Sequence, residues 1–347
     1  MTAGRRAFLV ACAWLAAAAG AAAQPTAAVV RVDPGLDALV APDAQLIQLR
    51  TGFGFTEGIT WVDKGGYLLL SDIPANVIYK LAPTGKLSVY LHPAGYRGFD
   101  SWRVGREQTN GRDPSDPAFE KFIFTGSNGL ALDPQGRLVI LTYVGRTIER
   151  LERNGKRTLL ADKWEGKRFG GPNDLTIKKN GTIYFTDGYG AFRRGEKDPR
   201  VEIPFQGLFM LKNGKVSLAT REIPTTNGVT LSPDQKYLYA NGSGAKYIKR
   251  FPIRSDDTLG PGEMVIDMSA DKAPGITDGM KVDRMGNIYT TGPRGVWIVS
   301  PQGKHLGTIL TPELAANLDF GDADHKGLYI AARSSVYKIR LRTAGIP

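Results

Sequence analysis

Asp278-Gly279-Met280-Lys281-Val282-Asp283-Arg284-Met285-Gly286-Asn287-Ile288-Tyr289 reads as an acid step, a short strand, a glycine turn and a return strand. Val296-Trp297-Ile298-Val299 and the turn Pro301-Gln302-Gly303 complete the unit. The same grammar recurs along the chain. Its steps are Glu57-Gly58, Asn128-Gly129, Asn173-Asp174, Asn227-Gly228, Asp278-Gly279 and, more weakly, Asn317-Leu318. Asn128 stands eight residues before Gly136, Asn173 eight before Gly181 and Asp278 eight before Gly286. Alternation in Leu175-Thr176-Ile177 and Ile183-Tyr184-Phe185 suits half-buried strands, and helical periodicity is nearly absent. Strand-and-turn units repeating every roughly 40 to 70 residues are the mark of a propeller. The expected fold is an all-β, six-bladed β-propeller over residues 45–347.

The bulk composition agrees. With 42 glycines in 347 residues, 42% hydrophobic and 23% charged residues, the chain has the make-up of a turn-rich globular protein. The net charge of +11 raises the question of nucleic acid. Its cations are scattered (Arg193-Arg194, Lys249-Arg250, Arg340 and Arg342), and no run reaches the density of a phosphate-tracking stripe. No nucleic-acid partner is expected. No stretch after the first two dozen residues has the 18 or more apolar residues of a membrane span.

Residues 1–23 read as a targeting segment. Arg5-Arg6 form its charged start, Ala7 to Ala19 its apolar stretch, and Ala21-Ala22-Ala23 a cleavage site before Gln24. Arg5-Arg6-Ala7-Phe8-Leu9 is open to two readings, a twin-arginine export signal or an ordinary secretion signal. Either places the mature protein in the periplasm or outside the cell. Leu9-Val10-Ala11-Cys12 looks like a lipoprotein box, but only about five apolar residues precede the cysteine, fewer than such a signal needs. Cleavage after Ala23 removes Cys12, the single cysteine, and with it disulfides, thiolate metal sites and thiol nucleophiles.

Residues 24–44, with Pro25, Pro34 and Pro42, read as an extended lead-in. Leu46-Ile47-Gln48-Leu49 is expected to pair with Val336-Tyr337-Lys338-Ile339 and complete the last blade, removing an open sheet edge. Residues 92–122 form an insertion rich in Gly, Arg, Asp and Pro. A loop of this length is either a lid over one face or a mobile excursion.

A propeller brings the same position of every blade to its axis. Glu57, Asn173, Asn227 and Asp278 would therefore converge, giving two carboxylates and two amides. That all-oxygen set suits a hard cation, Ca2+ before Mg2+ or Mn2+, and Zn2+ least. The plainer reading, that each Asn-Gly is only a turn, weakens as more steps share one register. His92, His305 and His325 show no zinc spacing, Gly126-Ser127-Asn128-Gly129 is no nucleophile elbow, and Gly52-Phe53-Gly54 lacks a third glycine and a helix. Asp72 and Asp187, each closing a strand, could anchor the site from behind or simply cap turns.

Thr56-Glu57-Gly58-Ile59-Thr60-Trp61, Gly171-Pro172-Asn173-Asp174-Leu175 with Tyr184-Phe185-Thr186-Asp187, Thr226-Asn227-Gly228-Val229, and Asp278-Gly279-Met280 with Asp283 closely resemble the gluconolactonase/regucalcin family. That family shares its six-bladed propeller with diisopropyl fluorophosphatase. The resemblance covers about residues 45–340. It implies one catalytic divalent cation on the axis, held by Glu57, Asn173, Asn227 and Asp278, with Asp278 also the general base. Asn128 would face the substrate or a metal-bound water. Where many bacterial members carry a histidine after the second-blade strand, this chain has Thr142-Tyr143-Val144, so Tyr143 is expected at the substrate. Gly171 stands where some members hold an arginine.

The implied activity is metal-assisted lactone hydrolysis. The cation polarises the carbonyl while Asp278 takes a proton from water. The partner is then a small lactone, and the chain a monomer or weak homo-oligomer. Phosphotriester hydrolysis on the same site, or ligand binding by an exported propeller without catalysis, are the alternatives, because one scaffold hosts many functions.

Overall fold

A small sheet of short strands needs a neighbour on each face before its apolar side chains leave water, and sheets set radially about one axis supply each other. The computed structural model describes residues 28–346 and has this arrangement. The targeting segment expected at residues 1–23, with Arg5-Arg6 and Cys12, lies outside them.

Six antiparallel blades follow in chain order. From axis to rim the first is Thr56–Val62, Tyr67–Asp72, Val77–Leu81 and Leu87–Leu91. The second is Leu130–Leu132, Leu138–Leu141, Ile148–Leu151 and Arg157–Ala161. The third is Pro172–Ile177, Ile183–Asp187, Gly207–Lys212 and Lys215–Thr220. Thr226–Leu231, Tyr237–Gly242, Tyr247–Pro252 and Glu263–Asp267 make the fourth. Met280–Val282, Ile288–Gly292, Gly295–Val299 and His305–Leu310 make the fifth. The sixth takes Ala315–Gly321, Gly327–Ala332 and Ser335–Arg340 from the C-terminal end and its rim strand, Leu46–Thr51, from the other. Leu46 lies opposite Ile339 and Ile47 opposite Lys338, the pairing expected from the sequence. The innermost strands adjoin in order, and the sixth meets the first, so the ring closes.

The apolar cores lie between the blades. Phe185 and Phe209 stack with 5.6 Å between centroids, and with Phe169 they fill the seam of blades two and three. Trp61 against Tyr329, 5.5 Å apart, fills that of blades one and six. Each such side chain stabilises the folded state by about 1.5–3 kcal/mol on burial, so the seams, not the rims, hold the ring.

The eight-residue offset holds in all six blades. The residue eight after each step has positive φ: Gly65 117°, Gly136 71°, Gly181 87°, Gln235 56°, Gly286 87° and His325 54°. Two blades place a non-glycine in the left-handed turn.

The extended lead-in expected over residues 24–44 needs correction where it is described. Val29–Arg31 is a fifth strand on the rim of blade five, Val30 opposite Thr308. Pro34–Ala38 is a 3-10 turn, with Asp33 Oδ1 accepting from Gly35 N at 2.8 Å. The cause is apolar: Ala28, Leu36, Leu39 and Val40 are buried against the seam of blades five and six.

The insertion at residues 92–122 is folded, with a 3-10 turn at Ser101–Arg103 and a hairpin of Glu107–Thr109 with Lys121–Ile123. Val104 from within it packs with Ile73, Phe124, Tyr143 and Val144 in a small core of its own. A second excursion, residues 188–206, links the second and third strands of blade three. Gly105 N donates to Ala191 O at 2.9 Å and so ties the two together.

Candidate functional site

The acid and amide steps sit where the inner strands lose register. Ladder irregularities fall between Glu57 and Ile59, between Pro172 and Leu175, and between Thr226 and Val229. A bulge re-aims a side chain that regular alternation would send into a seam. The glycine after the acid or amide has a packing reason. A Cβ on Gly58 would stand 1.7 Å from the Asn128 carbonyl oxygen, and one on Gly228 2.0 Å from that of Asp278. Each step thus receives the backbone of the next blade's step. Blade three carries Asp174 instead, whose carboxylate accepts from Leu175 N at 2.9 Å and Val229 N at 3.3 Å.

Side chains link the steps around the axis. Asn128 donates through Nδ2 to Asn173 Oδ1, Asn173 Nδ2 to Asn227 Oδ1 at 3.0 Å, and Asn227 Nδ2 to Ser243 Oγ at 3.0 Å. On the other side Asn317 Nδ2 donates to Glu57 Oε2 at 3.2 Å while its Oδ1 takes Leu318 N. Asn317 therefore orients Glu57 from behind.

Glu57, Asn128, Tyr143, Asn173, Asn227 and Asp278 all line one cavity of about 610 Å3. Every site residue expected from the sequence is in it. Phe55, Ile73 and Phe124 supply an apolar wall, and Arg106, Gln108, Arg193, Arg194 and Lys197 come from the two excursions.

Burial pushes both carboxyls up, and each is pushed further by negative neighbours. Asp278 feels Glu57 and Asp174, with the nearby Asn227 amide opposing. Glu57 is raised by burial against the opposing Asn317 bond, with Asp174 adding to the rise. Burial also raises the Tyr143 phenol, with Arg106 opposing, and keeps it a hydrogen-bond donor at neutral pH.

Residues that the sequence reading passed over hold the steps in place. Ser71 Oγ donates to the Asn128 carbonyl at 2.8 Å, Thr186 Oγ1 to that of Asn227 at 2.7 Å, and Asn241 Nδ2 to that of Asp278 at 2.6 Å. Each comes from the second strand of the preceding blade. Their signal was a buried polar residue 13 or 14 positions after a step. Asp72 accepts from Gly54 N and Phe55 N at 3.1 and 3.2 Å, and Asp187 from Gly170 N and Gly171 N at 2.9 and 2.8 Å. Each carboxylate grips the loop that leads into its own blade's step, which joins the anchoring and capping roles.

Among the described residues no three His, Cys, Asp or Glu side chains gather as a metal cluster. A cation here would rest on two carboxylates and amide oxygens, a hard donor set. The paired buried carboxyls, which a positive charge would relieve, fit one.

A six-bladed propeller with an acid and amide floor defines the class of protein. Residues 55–334 match the family of the SMP-30/Gluconolactonase/LRE-like region. A gluconolactonase of Zymomonas mobilis subsp. mobilis is 30% identical over 328 residues, covering 91% of this chain and 87% of that one. The structure of a gluconolactonase from Xanthomonas campestris superposes with a TM-score of 0.74 at 25% identity, over 93% of this chain and 99% of that one. A calcium-binding regucalcin from Agrobacterium tumefaciens has a TM-score of 0.64 at 16% identity, over 85% and 94%, a likeness of fold. The chain belongs to the SMP-30/gluconolactonase/LRE-like family.

Proposed function

We propose that this protein hydrolyses lactones, with a divalent cation held by Glu57, Asn173, Asn227 and Asp278 and with Asp278 as general base. Ca2+ suits the donor set best. When bound, the cation supplies Lewis acidity toward a carbonyl oxygen. Asp278 accepts a proton from water as the water oxygen bonds to the lactone carbonyl carbon. The ring C–O bond then breaks, its electron pair stays on the alkoxide, and the proton passes to that oxygen, leaving a hydroxy acid. Tyr143 donates from the wall through its protonated phenol. Asn128 presents its unpartnered Oδ1 to a substrate hydroxyl. Phe55, Ile73 and Phe124 limit water on one side.

The observation that carries this reading is the convergence of Glu57, Asn173, Asn227 and Asp278, steps of four blades, with Asn128 on one cavity, three of them linked amide to amide. The Zymomonas gluconolactonase, similar along most of its length, supports the lactone. Acid release from a panel of aldonolactones, measured with Ca2+ and with excess chelator, tests it. Chelator-sensitive turnover that Asp278→Asn lowers by at least about 10²-fold is expected. Full activity in that variant refutes the assignment of Asp278.

A further inference from the structure

The mouth of the cavity carries the opposite charge to its floor. Arg106 comes from the first excursion, and Arg193, Arg194 and Lys197 from the second; Glu196 is the acid among them. Three bonds fix the excursions against each other: Gly105 N to Ala191 O at 2.9 Å, Arg106 N to Gly190 O at 3.3 Å, and Arg193 Nη2 to Trp102 O at 2.7 Å. These bonds fix the two segments that carry the cations, whose exposed Arg106, Arg194 and Lys197 side chains line the same cavity.

Nearby ion pairs are made by Arg193 with Glu107 at 4.0 Å and by Arg200 with Asp198 at 2.8 Å. Arg106, Arg194 and Lys197 have no carboxylate partner among the described residues. Like charges around one mouth repel, and a bound anion turns that repulsion into attraction. Guanidinium groups also present paired N–H donors that match a carboxylate or phosphate face. A neutral sugar lactone uses none of this. The floor meets the ring carbonyl, so the mouth meets the far end of the substrate.

We propose that the natural substrate is a lactone bearing an anionic group, a carboxylate or a phosphate ester, at the end remote from the ring carbonyl, gripped by Arg106, Arg194 and Lys197. The inference rests on the lactone-hydrolase reading and names its substrate class.

The test compares kcat/KM for glucono-δ-lactone, a glucarate monolactone and glucono-δ-lactone carrying a terminal phosphate ester, with Ca2+ present. At least one anionic lactone is expected to exceed the neutral one by about tenfold or more, as one or two charge-assisted hydrogen bonds provide. The better of the two tells carboxylate from phosphate. In Arg194→Ala/Lys197→Ala the anionic-to-neutral ratio should fall at least about tenfold, mainly through KM. Arg194→Lys should retain part of the preference. Added salt should lower the ratio. Turnover of the neutral lactone with equal or greater kcat/KM overturns the anionic substrate and leaves the lactonase standing. A ratio unmoved by the double substitution overturns the role of these residues. No turnover of any lactone overturns both readings.

Discussion

Thr186 Oγ1 donates to the Asn227 carbonyl at 2.7 Å and accepts from Asp174 N at 3.1 Å, and the residue is fully buried. Thr186→Val keeps the shape and the branched Cβ that suits a strand. It removes one hydroxyl and strands two buried backbone groups, on adjacent blades. At about 1–3 kcal/mol for each unsatisfied group, the variant should be destabilised by about 2–6 kcal/mol. Urea unfolding followed by circular dichroism measures this, with the native spectrum unchanged before the transition. Thr186→Ser, which keeps the hydroxyl, should recover most of the loss. The freed carbonyl belongs to Asn227, so lactone turnover should fall as well. A Thr186→Val midpoint equal to that of the parent protein would refute the claim that these hydroxyls brace the site.

Asp187 is buried, and burial against the opposing Gly170 and Gly171 bonds pushes its carboxyl up to about 7. The folded state therefore holds this proton more tightly than the unfolded chain. Its stabilising contribution is full below about pH 4 and is lost as pH rises through about 7. Asp187→Asn should thus gain on the parent protein between those values, seen as converging and then crossing urea midpoints; parallel profiles would count against it. Gly58→Ala places a Cβ 1.7 Å from the Asn128 carbonyl at a φ of 23°, so a loss of about 3 kcal/mol or more is expected in a thermal melt. Ca2+ at a hundred times its Kd should raise stability by about 2.7 kcal/mol, a shift that chelator reverses and Asp278→Asn removes. An identical melting temperature with and without Ca2+ would refute the cation.

The blade count and the site register were legible because both follow from spacing. Asn128, Asn173 and Asp278 announce their turns with glycine eight residues on, whereas Gln235 and His325 take the same left-handed turn without that signature. Of their two steps, the one at Asn317, which also lacks a following glycine, was the fainter in the sequence. The expectation that Glu57, Asn173, Asn227 and Asp278 meet needed only the ring. The amide chain from Asn128 to Ser243 depends on which way each side chain turns, which no spacing encodes. Nor did spacing reveal the excursion at residues 188–206. Its Gly, Arg and Pro content reads as connection, and its role at the cavity mouth comes from its docking on an insertion some 90 residues earlier. The rim strand Val29–Arg31 was hidden for a different reason, the prolines at 34 and 42 that made its surroundings look unstructured.

The pairing of Leu46–Thr51 with Ser335–Arg340 joins parts of the chain separated by 284 to 293 positions. Every other pairing within a blade's own four strands is local, so each blade can form as it is synthesised. Within the sixth blade, the rim strand is made long before its three partners and waits for the last of them. A loop of that length must be closed against its own entropy before the final ladder forms, which makes ring closure the slow, chain-length-dependent step of folding. Until then both Leu46–Thr51 and the edge of Ser335–Arg340 offer unpaired backbone to other chains. Crowded synthesis therefore threatens this protein through exchange of Leu46–Thr51 between neighbouring rings.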